Sequence, residues 1–594
     1  MTCTPARGPG TTPRFSRLGR LLLPALGVAF QAGCVWDSES RQKLELGVDP
    51  TASPYAKSAS YRDTIGSMTY YQGMAPMRVR GYGLVVGLGH NGSSECPRAI
   101  FDRLVQALYK QHNFTSSVVG VRNIKPEALI EDLDTAVVLV HGEIPPGAVA
   151  GSRFDVVVTA VPGTQTKSLR GGRLYTADLE MYRAVTPNAA LSGRVLARAS
   201  GPLFLNPFSE GDAATQSVSL EGIILGGGEV TEDRRLRLVL LQPSYHFAQK
   251  IQDRINAQMP ATDKIADAIS PSFVRLAIPE EFRNDSGHFL ALVRALYLSN
   301  DPRFAAARAR ELGEEILHPT APHGQIALCL EGLGRAALPV LDELYTNEKD
   351  YVSFHAAVAG VRLGDHLAAD VMAMHAETPN GEYRFRAMRA LGEARGMAGA
   401  GMCLRRLLDD VDPRIQIAAY EALLERRDPV IKSMCIGGDN FSLDRVPSER
   451  PSFIYVKRQG SRRIAVFGDE PECGPPLLYR APDGSVTITA GPNDDHLTVL
   501  RVVTATNATS PAVPVHFDLG ALLELLGSDA GVDHDGQVTG LAVDYAAIAR
   551  ALYHLSRDKA IDASFVLEQP NVAELFGPAR PRGRPESELS FAGS

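Results

Sequence analysis

The 594-residue sequence has little of what usually announces a chemistry. Its seven cysteines are scattered. Cys3 and Cys34 stand near the start, and Cys96, Cys329, Cys403, Cys435 and Cys473 follow neither metal-ligand spacing nor a disulfide framework. Cys435 and Cys473 are a candidate pair, with unpaired buried thiols as the alternative. No basic block with interleaved aromatics occurs, and 61 basic against 68 acidic residues leave a net charge of −7, which argues against a nucleic-acid partner. The apolar run at 21–30 is ten residues long, whereas a bilayer span needs about 20. No G-x-S-x-G is present, and His141, His246 and His288 lack a ligand partner at helical spacing. Acid pairs such as Glu280-Glu281 and Asp409-Asp410 read as solvated charge at element ends. These absences point away from an enzyme, a metal site or a bound cofactor.

What is present begins with the leader. Arg7, Arg14, Arg17 and Arg20 precede the apolar run, and Gln31-Ala-Gly-Cys34 closes it, the order of a secretory signal. Residues 1–34 are therefore expected to be an export leader and 35–60 a polar linker. The Ala-Gly-Cys ending resembles the lipobox of bacterial lipoproteins and makes Cys34 a candidate lipidation residue, although Gln31 stands where leucine is usual. An ordinary cleavage site is the other reading.

The most compact mixture of strand residues and glycines spans 77–92. Leu84, Val85 and Val86 read as a short buried strand, and Gly81, Gly83, Gly87, Gly89 and Gly92 permit backbone shapes that a Cβ forbids. Gly87, Gly89 and Gly92 spell G-x-G-x-x-G. A dinucleotide site, however, needs a helix opening directly on the glycines and an acid about 20 residues on. Ser93, Ser94, Glu95 and Cys96 intervene, and residues 116–120 contain no acid. The glycines therefore read as a turn.

Residues 97–111 place Ile100, Phe101, Leu104, Val105 and Leu108 at helical spacing. Short valine-rich strands follow at 136–141, 154–160, 195–199, 223–225 and 236–241, then a helix at 245–259 and a strand at 273–278. Residues 61–283 thus form an α+β domain. From 284 to 432 alanine and leucine dominate. Leu333-Gly334, Leu363-Gly364, Leu391-Gly392 and then Leu423-Leu424 recur with a period near 30, as in a helical solenoid, and Asp412-Pro413-Arg414 is similar to the opening of HEAT-type helices. Residues 433–570 read as a smaller α+β region, with strands at 453–456, 464–467, 485–489 and 497–504 and helices at 519–526 and 543–555. The tail 571–594, rich in Pro, Arg, Glu and Ser, is expected to be disordered.

Three segments resemble one family. They are Tyr61-Arg-Asp-Thr-Ile65 with Gly81-Tyr-Gly-Leu-Val-Val-Gly87-Leu88; Gly142-Glu-Ile-Pro-Pro146 through Gly151-Ser-Arg-Phe-Asp155 to Lys167-Ser-Leu-Arg170-Gly-Gly172; and 240–278. Order and spacing are similar to the bacterial flagellar P-ring protein family. A weaker likeness covers His496-Leu-Thr-Val499 and 548–569, so that the helical repeats are an insertion within P-ring sequence. His90-Asn-Gly-Ser93 departs from the family's turn. The resemblance implies a structural, non-enzymatic subunit of a periplasmic ring around the flagellar rod, with itself, rod and L-ring proteins, and peptidoglycan as partners and no cofactor. An unidentified protein ligand is expected for the helical repeats. Gly81, Tyr82, Gly83 and Gly87, with Lys167, Ser168, Leu169, Arg170, Gly171 and Gly172, are candidate ring-interface or turn-shaping residues. The alternative is an envelope lipoprotein scaffold outside the flagellum, anchored to the outer membrane through Cys34.

Overall fold

Valines alternating with small residues build the first half of the chain into a closed barrel. The computed structural model describes residues 59–568 apart from 112–124, 182–193, 206–219, 260–263, 482–483, 504–507, 533–536 and the single positions 235, 284 and 439. The leader with Cys34, nearly all of the linker and the expected disordered tail lie outside them. None of the described helices is long and apolar enough to cross a membrane.

Strand β1 (Thr69–Gln72) belongs to a separate sheet. Strands β2 (Met77–Val86), β3 (Ala136–Ile144), β4 (Arg153–Ala160), β5 (Arg173–Met181), β6 (Val195–Pro202) and β7 (Glu221–Val230) close in the order β2-β3-β4-β7-β6-β5. Val138, Val140, Val156 and Val158 are buried on the inside, as the period of two requires. The Phe154 ring fills space left by two glycines: a Cβ on Gly142 or Gly228 would lie 2.8 or 2.6 Å from it. The strand expected at 84–86 is corrected to ten residues. Pairing with β3 runs unbroken from Met77 to Val85, through Gly81 and Gly83.

The second sheet, β1-β8-β10-β9, adds β8 (Leu236–Leu240), β9 (Ala266–Ser270) and β10 (Phe273–Leu276). Helices α1 (Arg98–Gln111) and α2 (Pro126–Ile130) pack on the barrel, and α3 (Tyr245–Gln258) packs on this sheet through Ala248, Ile251 and Ile255. Helix α4 (Ser286–Ala295) completes the same core with Phe289, Leu290 and Val293, so the alanine- and leucine-rich stretch begins inside the α+β body. Arg234 fixes barrel to sheet by donating to the carbonyls of Ile144, Pro145, Gly73 and Ala75.

Helices α5 (Pro302–Glu315), α6 (His323–Leu333), α7 (Leu338–Tyr345), α8 (Asp350–Leu363), α9 (His366–Glu377), α10 (Arg384–Glu393), α11 (Ala398–Leu407) and α12 (Pro413–Arg426) then stack. From α6 onward they alternate between two layers, α6, α8, α10 and α12 in one and α7, α9 and α11 in the other. The Leu-Gly pairs do two jobs. Gly334 and Gly364 terminate helices at φ of 68° and 83°, whereas Gly392 lies within α10 and lets Ala422 approach to 3.2 Å of where a Cβ would be. Asp412 caps α12 as its sequence implies, accepting from the Arg414 N–H at 2.9 Å. Charged residues near the helix ends also recur: Arg362 reaches Glu331 at 3.7 Å and Glu393 at 3.1 Å, and His288 of α4 meets Glu331 at 2.8 Å.

His355 of α8 is buried, with Nδ1 2.7 Å from the Tyr351 carbonyl, and burial pushes its pKa down to about 4. Burial lowers that of His375 on α9 as well. Both rings are neutral in the fold. As pH falls below the unfolded value near 6.5, the unfolded chain takes up a proton that His355 refuses until about pH 4, so stability is full above about 6.5 and declines through that window. Denaturant titrations at pH 7.5 and 4.5 are expected to differ by about 2–3 kcal/mol from this group, and His355→Phe should reduce the difference.

The last module is built on a sheet buried on both faces, made of β11 (Lys432–Ile436), β12 (Phe441–Val446), β13 (Phe453–Val456), β14 (Arg463–Phe467) and the strand Ser564–Leu567. Along β13 and β14, Phe453, Tyr455, Ala465 and Phe467 join the core of the helical stack, while Ile454, Val456, Ile464 and Val466 face helices α13 (Leu519–Gly527) and α14 (Tyr545–Arg557). Cys435 and Cys473 are both free, the first exposed on β11 and the second buried, which removes the candidate bridge.

Candidate functional site

Two of the singled-out stretches meet at one end of the barrel. After β2, Gly87 and Gly89 take φ of 82° and 54°, and His90 takes 66°, turning the chain while Leu88 stays buried. The Leu88 and Gly89 N–H groups donate to the Asp134 backbone and side chain, those of Gly92 and Ser93 to the Leu133 and Thr135 carbonyls, and that of Asn91 to Leu88. Five of the six N–H groups from Leu88 to Ser93 are thus spent on protein oxygens, so the turn is no phosphate cradle. A Cβ on Gly92 would lie 2.0 Å from the Thr135 carbonyl, which is why glycine stands there.

The second stretch closes on the first. The Asn91 carbonyl accepts the N–H of Lys167 at 2.8 Å and of Ser168 at 3.4 Å. Ser93 Oγ accepts the Gln165 N–H at 3.1 Å, and Gln165 Nε2 donates to Glu95 Oε1 at 2.8 Å. Ser168 Oγ accepts the Arg170 N–H at 3.2 Å, Leu169 is fully buried, and Gly171 turns at φ 71°. Gly172 leaves the room that Val85 and Leu88 use. The two loops are one polar, hydrogen-bonded unit. Its exposed side includes His90, Glu95, Gln165 and Lys167, with Ser168 and Arg170 half-buried.

Gly81 and Gly83 sit deeper, on β2 where β5 crosses. A Cβ on Gly81 would stand 2.1 Å from the Asp178 carbonyl, and one on Gly83 2.8 Å from Leu174 and 2.9 Å from Ala177. Tyr82, between them, points to the other side and joins the cluster under α1. These residues shape the barrel, and the loop residues shape its end. Sequence reasoning missed Asp155, whose carboxylate accepts the Gly226 N–H at 2.5 Å and the Gly460 N–H at 3.2 Å and so joins the barrel to the last module. Burial raises its pKa. Leu133, exposed beside the loop unit, was missed because a single leucine between acids carries no period.

Burial pushes the thiols of Cys96 up to about 11 and of Cys329, Cys403 and Cys473 up to about 12, so none is an activated nucleophile. Among the described residues no three or more His, Cys, Asp or Glu converge to hold a metal ion.

Residues 64–306 match the family model described as flagellar P-ring protein. The flagellar P-ring protein of Bradyrhizobium sp. (strain BTAi1 / ATCC BAA-1182) is 32% identical over 262 residues, covering 42% of this chain and 64% of the relative. That of Rhodopseudomonas palustris (strain TIE-1) is 30% identical over 257 residues, 41% of this chain and 63% of the relative. The flagellar P-ring protein of Geotalea uraniireducens (strain Rf4) is 26% identical over 293 residues, 46% of this chain and 73% of the relative. The chain thus spans less than two thirds of the first two relatives, and the match covers the barrel, the four-stranded sheet and α4.

Proposed function

We propose that this chain, whose residues 64–306 share the sequence pattern of the flagellar P-ring family, is a structural subunit of a periplasmic ring in the flagellar basal body. The observation that carries the reading is that match, which spans the barrel and both loops of its end unit. The chain then acts by contact, with copies of itself and with rod and L-ring proteins as neighbours. The end unit of residues 87–93 and 164–172 is a contact element, held rigid by its internal hydrogen bonds and so presented without an ordering cost.

The stacked helices are a HEAT-like insertion that offers a protein-binding face, as two-layer helical arrays do. In support, the barrel meets the last module directly: Asp155 reaches Gly460, and Phe204 and Leu225 join the core that holds Tyr545. An insertion whose flanking parts touch in this way costs the host fold little.

Arg170→Glu in the exported chain tests the contact role. Reversing this charge is expected to lower incorporation into basal bodies about ten-fold or more in a variant that circular dichroism shows to be folded. Wild-type incorporation of a folded variant would refute it.

A further inference from the structure

The α+β body passes into the helical stack through residues 296–301, the connector between α4 and α5. The start of the described chain lies along this joint. The Ile65 N–H donates to the Leu296 carbonyl at 2.8 Å, Thr64 forms a β-bridge with Tyr297, and the Leu298 N–H donates to the Asp63 carbonyl at 3.4 Å. Ile65 is buried in the core beneath the four-stranded sheet, whereas Tyr61 is buried in the core of the stack. One short segment thus has an end in each core.

Ser60, fully buried, occupies a built site on the stack side. Its carbonyl accepts from the Tyr297 hydroxyl at 2.7 Å, from Arg308 Nη2 of α5 at 3.4 Å and from Cys329 Sγ of α6 at 3.5 Å. Its hydroxyl donates to Glu315 Oε1 of α5 at 2.6 Å. Burial raises the pKa of Tyr297 and pushes the Cys329 thiol up to about 12, so both keep the proton they donate. These partners stand 237 to 269 positions further along the chain, so the site is complete only when the connector, α5 and α6 are in place. Arg254 of α3 grips the joint as well. Its Nε donates to the Tyr297 carbonyl and its Nη2 to the Gly332 carbonyl at the end of α6, both at 2.9 Å.

We infer that residues 60–65 are a clasp across this joint. The connector, α5 and α6 carry a binding site for the chain's own start, a neutral Ser-Tyr segment read through its backbone carbonyl and its buried ring. Filling that site fixes the footing of the stack on the α+β body. Withdrawing the segment leaves buried donors without an acceptor and a cavity where the Tyr61 ring was, so α5 and α6 open locally while the barrel keeps its own core. The seating of the stack is thus controlled from the start of the chain.

The test is Tyr61→Ala in the full exported chain, read by hydrogen exchange and by binding of a fluorescent peptide of residues 55–64. Amides of α5 and α6 are expected to exchange at least about ten-fold faster, with those of β2–β7 at wild-type rates. The peptide should bind Tyr61→Ala and slow that exchange, but not bind wild type, and the same peptide with alanine for its tyrosine should not bind. Tyr297→Phe, which keeps the ring and removes one donor to Ser60, should speed exchange in the same helices to a smaller extent and carries the test if Tyr61→Ala does not fold. Unchanged exchange of α5 and α6 in both variants overturns the clasp. An equal rise in barrel and stack, or a folded Tyr61→Ala that the peptide does not bind, also overturns it and leaves Tyr61 an ordinary core residue.

Discussion

Asp444→Ala is expected to destabilise the last module by about 3 kcal/mol or more. The Asp444 carboxylate is wholly inaccessible and sits where the helical stack meets the central sheet. Arg463 Nη1 donates to both of its oxygens, at 2.9 and 2.7 Å, and the Tyr420 hydroxyl of α12 donates to Oδ2 at 2.5 Å. Burial and the neighbouring Asp444 both push the Tyr420 hydroxyl pKa up, so it remains a donor. Removing the carboxylate leaves a half-covered guanidinium and a phenol without an acceptor, between rings that pack tightly: Phe467 lies 5.5 Å from Tyr420 and 4.1 Å from Phe453. Tyr420→Phe, which loses one hydrogen bond and keeps the ring, should cost only about 1 kcal/mol. The measurement is the urea midpoint, with hydrogen exchange at β12 and β14 to localise the loss. An Asp444→Ala midpoint within error of wild type contradicts this account of the junction.

Gly81→Val should be worse for the barrel than any change in its loops. The glycine lies in a strand with nothing unusual in its φ, so the obstacle is space: its Cβ would stand 2.1 Å from the Asp178 carbonyl and 3.1 Å from the Leu179 side chain. The β2–β5 pairing already shifts register between Arg80 and Val85, and a valine would force the strands apart at that shift. A cost of about 3 kcal/mol or an insoluble product is expected. Gly87→Ala is the contrasting case, with φ at 82° and nothing within 4 Å of its Cβ, so it pays only backbone strain of about 1 kcal/mol. Equal costs for the two would mean that conformational freedom, and not strand approach, selects glycine at 81.

Much of this architecture is legible in the sequence. The helices at 98–111 and 245–258 follow their apolar spacing, and that at 413–426 opens on its Asp412 cap. The change of character near 286 marks where stacked helices begin, yet α4 packs on the sheet, because Phe289 and Leu290 serve a core that composition cannot assign. β5 was invisible, since Arg173, Thr176, Asp178 and Glu180 break up its apolar pattern, and without β5 neither barrel closure nor the reason for Gly81 can be read. The two loops were found as separate motifs. That Lys167 closes on Asn91 depends on a contact 76 positions apart, which no local pattern encodes.

Mass analysis and electron microscopy of basal bodies isolated from cells expressing this chain decide whether it is a ring subunit. The chain is expected in the periplasmic ring around the rod, with the barrel end of each subunit against its neighbour and the helical stack as additional density. Basal bodies complete without it, with the chain recovered elsewhere in the envelope, would contradict the account.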